Sequence, residues 1–269
     1  MNVHDFTIYD FICRNAEINK DKDCLLFEGK RIGFQEYRQK VDQLAAGLTR
    51  EGVTRGDRLA VVAYNSDEYM ILYGAAAKIG AIVIAVNWRF QKEEVEYVLT
   101  DCTPKMVFAG ESFQEMISDI QTQIPSVRKL VLLGKGTPQN GVIPFEALYS
   151  KQGADAVFEI SANDGFVIIH TAAVEGHPRG ALLSQSNLVF HNVLSMLQYQ
   201  LGRDDCYMGF LPLFHVAGLT LALAMMHAGG KHVITEKYDP SETLELIEQE
   251  TGTILFTFAP ILNSLLDKY

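Results

Sequence analysis

The sequence predicts an α/β fold in which a largely parallel sheet is flanked by helices. Three observations carry that reading. Short apolar runs rich in Val and Ile alternate with helix-length segments between residues 58 and 109. Turn residues and helix caps stand at the junctions, and the same rhythm resumes after residue 165. Strand–helix–strand order returns each strand parallel to the last through a helical crossover. With 269 residues, 48% apolar and 21% charged, the chain has the composition of a large globular domain with a sizeable core.

The elements follow in order. Gly56-Asp57 turns the chain into an apolar strand over residues 58–63. Ser66 is an N-cap for the next helix, and Asp67 and Glu68 in its first turn suit the dipole. That helix runs through Met70, Ile71, Tyr73, Gly74 and Ala77 and closes near Gly80. Residues 81–86 form the next strand, 93–100 a short helix and 105–109 a further strand after Pro104. Residues 134–141 hold three glycines and a proline and read as a surface loop. The polar stretch 150–165 joins sub-regions of about 1–150 and 165–269. Residues 166–169 are a buried strand. Asp239-Pro240-Ser241-Glu242 starts a helix with Asp as N-cap, Pro at N1 and Glu at N3. This helix turns Leu244, Leu246 and Ile247 inward and yields at Gly252; Glu242, Glu245, Glu248 and Glu250 form its solvated face. Residues 253–258 read as a strand and 261–266 as a last apolar helix, after which the chain stops as though cut inside a fold.

The net charge of −10 and the lack of a dense Lys/Arg run exclude a nucleic-acid role. Cys13, Cys24, Cys102 and Cys206 show no C-x-x-C spacing, so they read as reduced thiols of a cytoplasmic protein, with no metal site expected. The N-terminus is polar and acidic where a signal peptide needs a basic region and an apolar core. Residues 211–230 carry no formal charge for 20 residues, which is spanning length. Pro212, His215, Gly218, His227 and Gly229-Gly230 interrupt that run, so it reads as a buried helix introduced by a loop and no transmembrane span is expected.

The run Ile168-Ile169-His170-Thr171-Ala172-Ala173-Val174-Glu175-Gly176-His177-Pro178-Arg179-Gly180-Ala181 reads as a strand, a Gly/Pro-marked loop, a basic residue and the start of a helix. That order suits a backbone loop closing on phosphate at the carboxyl end of a strand. Gly176 and Gly180 expose N–H groups, Pro178 stiffens the turn, and Arg179 can grip phosphate with two N–H groups. A plain strand-to-helix connection with a surface arginine fits the spacing equally well.

The segment from Thr171 to Gly180 resembles the signature T-S-G-T-T-G-x-P-K-G of adenylate-forming enzymes. Leu211-Pro212-Leu213-Phe214-His215-Val216-Ala217-Gly218 resembles the L-P-x-F-H-x-x-G motif of acyl-CoA synthetases. Val86-Asn87-Trp88-Arg89-Phe90 with Glu93-Glu94 resembles their N-W-R-L-x-x-x-E segment, although Trp88-Arg89 taken alone reads as a loop-fixing pair. Gly52 to Arg58 and Phe34-Gln35-Glu36-Tyr37 keep the same order. From about residue 25 onward the chain is similar to the superfamily of acyl-CoA synthetases, luciferases and peptide-synthetase adenylation domains, nearest to fatty or aryl acid CoA ligases.

The resemblance implies the N-terminal part of the layered α/β large domain of acyl-CoA synthetase-like enzymes, with sheets flanked by helices. Residues 1–269 would then be an incomplete AMP-binding domain lacking the C-terminal lid domain. It implies activation of a small carboxylic acid with ATP and Mg²⁺ to an acyl-adenylate, then transfer to coenzyme A. It places Thr171, Ala172, Ala173, Val174, Glu175, Gly176 and Arg179 against the nucleotide, and His215 beside the acyl pocket. There a neutral imidazole can donate a hydrogen bond without adding charge. Phe214, Val216 and Leu219 would pack the core near that pocket.

The loop departs from the signature: Ala172, Ala173, Val174 and Glu175 stand where the pattern gives S-G-T-T, and Arg179 replaces lysine. At about 4 Å and an effective dielectric near 20, two like charges repel by roughly 4 kcal/mol. Glu175 must therefore point away, be protonated, or be paired with His177 or Arg179. Either the phosphate grip differs in this chain or nucleotide binding is impaired. The Y-G-x-T-E segment, the T-G-D aspartate, the hinge and the catalytic lysine are expected beyond Tyr269, so the chain alone is expected to be inactive. The alternative is a non-catalytic acyl- or nucleotide-binding module. A truncated sheet edge and an exposed last helix favour association into a homo-oligomer.

Overall fold

The computed structural model describes residues 5–150, 158–171 and 178–269. In chain order the elements are α1 (Ile8–Ile18), β1 (Asp23–Phe27), β2 (Lys30–Gly33), α2 (Phe34–Arg50), β3 (Arg58–Val62), α3 (Asp67–Ile79), β4 (Ile82–Ala85), α4 (Lys92–Cys102), β5 (Met106–Gly110) and α5 (Gln114–Gln121). There follow β6 (Lys129–Leu133), β7 (Val142–Pro144), β8 (Gly165–His170), β9 (Gly180–Ser184), α6 (Gln185–Tyr199), β10 (Cys206–Gly209), α7 (Val216–Ala228), β11 (Lys231–Ile234), α8 (Pro240–Glu250) and α9 (Ala259–Leu266). The chain divides into two compact units that interleave in sequence.

Unit 1 comprises residues 1–10, 39–64 and 68–188. Its sheet has the order β7-β6-β5-β3-β4-β8-β9, parallel throughout except for β9. Leu59, Ala60, Val61 and Val62 of β3 are wholly buried, the pattern of a parallel strand covered on both faces. Val95, Val98 and Leu99 of α4 and Ile117 and Ile120 of α5 belong to one core cluster with Ala60, Val62, Val107 and Leu130. Glu94 reaches back to the Gln91 N–H at 2.9 Å to fix the start of α4, and Thr103 at φ 47° ends it before Pro104. The helix after Ser66 begins at Asp67 and stops at Gly80, whose φ of +68° suits glycine. Glu68 accepts the Gly134 N–H at 2.5 Å, so it serves a tertiary contact as well as the helix dipole.

One expectation is overturned here. The segment after Arg179 is the strand β9, antiparallel to β8, and not the start of a helix. Residues 180–184 satisfy the open edge of β8, with Gly180 opposite His170 and Ser184 opposite Gly165. A Cβ at Gly180 would fall 2.9 Å from His170 Nε2, so glycine lets the two strands close. The helix starts one strand later. Ser184 and Asn187 cap α6 reciprocally: Ser184 N donates to Asn187 Oδ1 at 3.0 Å and Asn187 N to Ser184 Oγ at 3.2 Å. Gln185 is fully buried, accepts from Ile8 N and donates to Ala77 O.

Unit 2 comprises residues 11–38, 65–67 and 189–269. Its sheet runs β10-β11-β1-β2, with β10, β11 and β1 parallel and β2 returning antiparallel. Helix α7 is buried from Gly218 to His227 and ends at Gly229. Among the described residues no helix is long and apolar enough to cross a membrane. Asp239 caps α8 by accepting the Glu242 N–H at 2.9 Å, with Pro240 at N1. Leu246 and Ile247 pack on Leu26, Cys206, Met208 and Val233, and Leu244 is half-buried.

Two further expectations change. Residues 253–258 do not form a strand; only Ile254 bridges to Tyr207, through Ile254 N to Cys206 O and Met208 N to Ile254 O. Beyond it Phe256 and Phe258 turn edge-on to one another, 5.8 Å apart, which takes the backbone off the β10 edge. Nor is Glu250 part of a solvated face. Its side chain is only 8% exposed and accepts from Arg31 Nη2 at 2.6 Å and Lys231 Nζ at 2.9 Å.

Hydrogen bonds from Arg31 and from Lys231, opposed by partial burial, hold the Glu250 carboxyl below the usual glutamate value. A depressed carboxylate contributes stability above its unfolded value, roughly 4.3, and loses that contribution as pH falls through the folded value. Glu250→Gln is therefore expected to lower stability by about 1 kcal/mol at pH 7, since the Arg31 partner is half exposed. Thermal unfolding from pH 7 to pH 3 should show the gap closing as the medium becomes more acid.

Candidate functional site

Two segments carry the residues with chemical potential. The first, in unit 1, is the connection from β8 to β9. Because β8 is parallel to β4, this connection leaves the carboxyl end of a parallel strand, where α/β sheets hold ligands. Thr171 N donates to Arg179 O at 3.0 Å, and Thr171 Oγ1 approaches the same carbonyl at 3.4 Å. These contacts bring Thr171 and Arg179 together as the neck of the loop, both exposed, while Pro178 is buried. Ala172, Ala173, Val174, Glu175 and Gly176, together with His177, lie outside the described residues.

His170, just before the neck, stands with Nε2 3.8 Å from Cys102 Sγ. Burial lowers the pKa of His170, and it raises the Cys102 thiol to about 11, with Asp101 adding to the rise. A neutral thiol beside a neutral imidazole is not an activated nucleophile. The pair packs the base of the hairpin.

The second segment, in unit 2, leaves the carboxyl end of β10 as residues 210–215 and leads into α7. His215 is the N-cap of α7: its Nδ1 accepts the Ala217 N–H at 3.2 Å, and its own N–H donates to Pro212 O at 3.0 Å. With Nδ1 accepting, the proton of the neutral ring sits on Nε2, and the exposed ring offers an Nε2–H donor. Phe214 and Leu219 are buried, but Val216 is 42% exposed, which corrects its expected place in the core. A first-turn residue that follows an N-cap faces outward when the stripe behind it does the packing.

The spacing of this motif has a steric reason. A Cβ on Gly218 would lie 2.2 Å from Pro212 O, so only glycine lets the first turn of α7 close over the loop. The loop itself is held by a residue that sequence reasoning missed. Asn65 is buried; its Nδ2 donates to Leu211 O at 3.0 Å and Thr235 O at 3.2 Å, while Oδ1 accepts from Leu213 N at 2.8 Å. Its one signal in the sequence is an asparagine three residues past the end of β3, which reads equally well as an ordinary turn residue.

Trp88 and Arg89 pack against one another. The Arg89 guanidinium lies 4.1 Å from the Trp88 ring centre, and Tyr64 meets that ring edge-on at 4.9 Å. Unit 2 also has an open cavity of about 440 Å³ at the end of β11, where the carboxylates of Glu28, Glu236, Asp239, Glu242 and Glu245 outweigh the single cation Lys237. Burial and these neighbouring carboxylates raise the Glu242 pKa. Such a negative rim repels phosphate and carboxylate, so this cavity is a poor place for a nucleotide or an acid.

Gly218→Ala is expected to lower stability by about 2 kcal/mol through overpacking. Gly202→Ala is the control, because a Cβ there meets nothing closer than 3.8 Å. Urea denaturation of the two variants measures the difference, and equal midpoints would refute the close approach.

Comparison with known proteins places these segments in context. The sequence matches the family described as AMP-binding enzyme over residues 12–269. It is 31% identical to the indoleacetate–CoA ligase of Aromatoleum aromaticum over 249 residues, which cover 91% of this chain and 48% of that protein. It is 26% identical to the chloroplastic/peroxisomal 2-succinylbenzoate–CoA ligase of Arabidopsis thaliana, covering 95% of this chain and 47% of the relative. The chain thus spans about half the length of these curated relatives. A crystal structure from Rhodopseudomonas palustris, provisionally described as a long-chain-fatty-acid CoA ligase, superposes with a TM-score of 0.92 at 39% identity. It covers 99% of this chain and 67% of that one. The fold is therefore that of the N-terminal part of acyl-CoA synthetases, with helix-flanked sheets as expected. The match through residues 12–269, and the hairpin and His-capped helix that fill it, make the chain a member of the AMP-binding family of adenylate-forming enzymes.

Proposed function

We propose that this chain is the N-terminal part of an acid–thiol ligase acting on a small fatty or aryl carboxylic acid. In the first step a carboxylate oxygen attacks the α-phosphorus of ATP, the bond to the β-phosphate breaks, and pyrophosphate leaves. In the second the thiol sulfur of coenzyme A attacks the acyl carbon and AMP leaves. The observation that carries the reading is positional: both matching motifs leave the carboxyl ends of parallel strands, β8 and β10. That is where this class of sheet presents loops to ligands.

The first step demands neutralisation of charge on the phosphates as the carboxylate approaches. Arg179 supplies a permanent cation at the loop neck, and Thr171 an exposed hydroxyl whose contact to Arg179 O, at 3.4 Å, is weak enough to exchange. Those donors fit a phosphate. His215 offers its Nε2–H to the carboxylate, and then to the acyl oxygen, without adding net charge. Magnesium, when bound, would add Lewis-acid neutralisation. Among the described residues no three His, Cys, Asp or Glu side chains gather to hold a metal ion, so no residue of this chain is assigned to it.

Since half of the relatives' length has no counterpart here, the 269-residue chain is expected to give no acid-dependent ATP–pyrophosphate exchange above background. Benzoate, indole-3-acetate and palmitate serve as test acids. Robust exchange would overturn the claim that elements outside this chain are required.

A second reading, a binding module without catalysis, draws on Ala172 to Glu175 in place of the signature's hydroxyl residues. An uncompensated Glu175 about 4 Å from a phosphate would cost roughly 4 kcal/mol, two to three orders of magnitude in affinity. Under the ligase reading Glu175 is neutralised or turned away, and Glu175→Thr should change ATP affinity by less than about tenfold. Titration calorimetry decides: a gain of a hundredfold or more would favour the disabled module.

A further inference from the structure

We infer that Asn65 is a positioning residue for His215, setting the loop from which the Nε2–H is presented. The role of that N–H toward a carboxylate rests on the proposed ligase reading; the positioning itself rests on the geometry of unit 2.

The carboxamide of Asn65 is used almost to capacity. Both Nδ2 hydrogens are directed at carbonyls, Leu211 O and Thr235 O, and Oδ1 accepts Leu213 N. The groups it satisfies belong to a buried stretch of the chain. Leu211 and Leu213 are 7% and 2% exposed, Pro212 between them has no N–H, and Pro212 O is already taken by His215 N. Thr235 directly follows β11, and its N–H donates to Gly209 O at the end of β10, so Asn65 pins the loop to the ends of two parallel strands. Two residues beyond the Leu213 anchor the chain reaches His215. At the other end, Asp67 ties the short segment that carries Asn65 by its ion pair to Lys30 at 2.6 Å.

Geometry of this kind specifies asparagine. Aspartate would keep the acceptor for Leu213 but turn a carboxylate oxygen on two carbonyls, and leucine would remove all three of these hydrogen bonds. A side chain that merely filled space would not need a donor and an acceptor in these directions. Preorganising the element that carries a functional group, and not only the group, is how such sites hold their aim.

The test uses the full 269-residue chain with ¹⁵N-labelled histidine, His215→Gln giving the assignment. Wild type should show His215 as the Nε2–H tautomer. Asn65→Ala should move the His215 ring nitrogens toward mixed-tautomer values and speed Leu213 amide exchange at least about tenfold. His227 and His232, buried in the same unit, should stay unchanged. Unmoved His215 signals in a folded Asn65→Ala protein would overturn the inference, as would all three histidines shifting together, which is the mark of general loosening. If Asn65→Ala does not fold, Asn65→Asp decides by the same readout, since it keeps the shape and the Leu213 acceptor but has no donors. Adding indole-3-acetate to the wild type tests the underlying reading separately. A His215 resonance blind to the acid defeats the acyl-side role and leaves the positioning result intact.

Discussion

A strand buried on both faces has no water to meet its backbone groups, so it must be paired on both edges and covered above and below. Strand β3 is the clearest case in this molecule: Leu59 to Val62 are wholly buried, with β4 on one edge and β5 on the other. That requirement fixes much of unit 1. Parallel neighbours need helical crossovers, which supply α3 and α4, and the helices supply the covering faces. Arg58 at the entry of β3 spends its guanidinium on Cys102 O, Thr103 O and Gly56 O, so the end of α4 is stitched to the start of β3, the strand that pairs with the β5 into which α4 leads. Strands forced to run the same way put their connecting loops on the same edge. The neck of Thr171 and Arg179 stands at that edge because β8 joins the sheet parallel to β4.

Unit 2 applies the same constraint with fewer strands. Its three parallel strands are short, four or five residues each, so the loop after β10 cannot be stabilised by strand pairing beyond Gly209. Side chains take over that work. Asn65 pairs the loop carbonyls and amide, Gly218 allows α7 to approach Pro212, and the His215 ring closes the first turn of α7. The L-P-x-F-H-x-x-G spacing is thus a description of one packed corner. Buried Leu211, Leu213 and Phe214 anchor it, Pro212 supplies a turn without an N–H, and the histidine is left at the surface as a capping residue with one ring nitrogen to spare.

Where a signal was local, the sequence was enough. The Val-rich runs of β3 and β4, the Asp239-Pro240 start of α8 and the glycine stop of α3 each depend on residues within a few positions of one another. Long-range partners were not legible in the same way. Residues 180–184 are apolar enough for a helix or a strand, and only the open edge of β8 decides between them. Residues 253–258 carry strand propensity, but the two phenylalanines turn to each other after a single bridge. Glu250 looks like one more surface carboxylate until Arg31 and Lys231 arrive from distant parts of the chain. Asn65 is the plainest instance. Nothing beside it in sequence distinguishes a turn asparagine from one whose three partners lie 146 to 170 residues away.

The replacement of the expected helix by β9 changes how the loop must handle negative charge. A helix beginning just after Arg179 would aim its N-terminal amides and the positive end of its dipole at a phosphate. Strand β9 carries the chain back along β8, so that Ser184 lies opposite Gly165, at the amino end of that strand. At about 3.3 Å per residue, the start of α6 is then roughly 15 Å from the neck of the loop. The dipole's influence fades within a helical turn, and the first amides of α6 are already met by the Ser184–Asn187 capping pair. Under the proposed ligase reading, the positive potential that the described residues of the loop neck offer is that of Arg179 and not of a helix terminus. On that reading the exchange of hydroxyl residues for Ala172, Ala173 and Val174, with Glu175 beside them, falls on a loop that, among the described residues, is followed by a strand and not by a helix terminus. An arginine in place of lysine is the compensation this chemistry would select: it cannot lose its proton, and its planar fork can meet two phosphate oxygens where a lysine meets one.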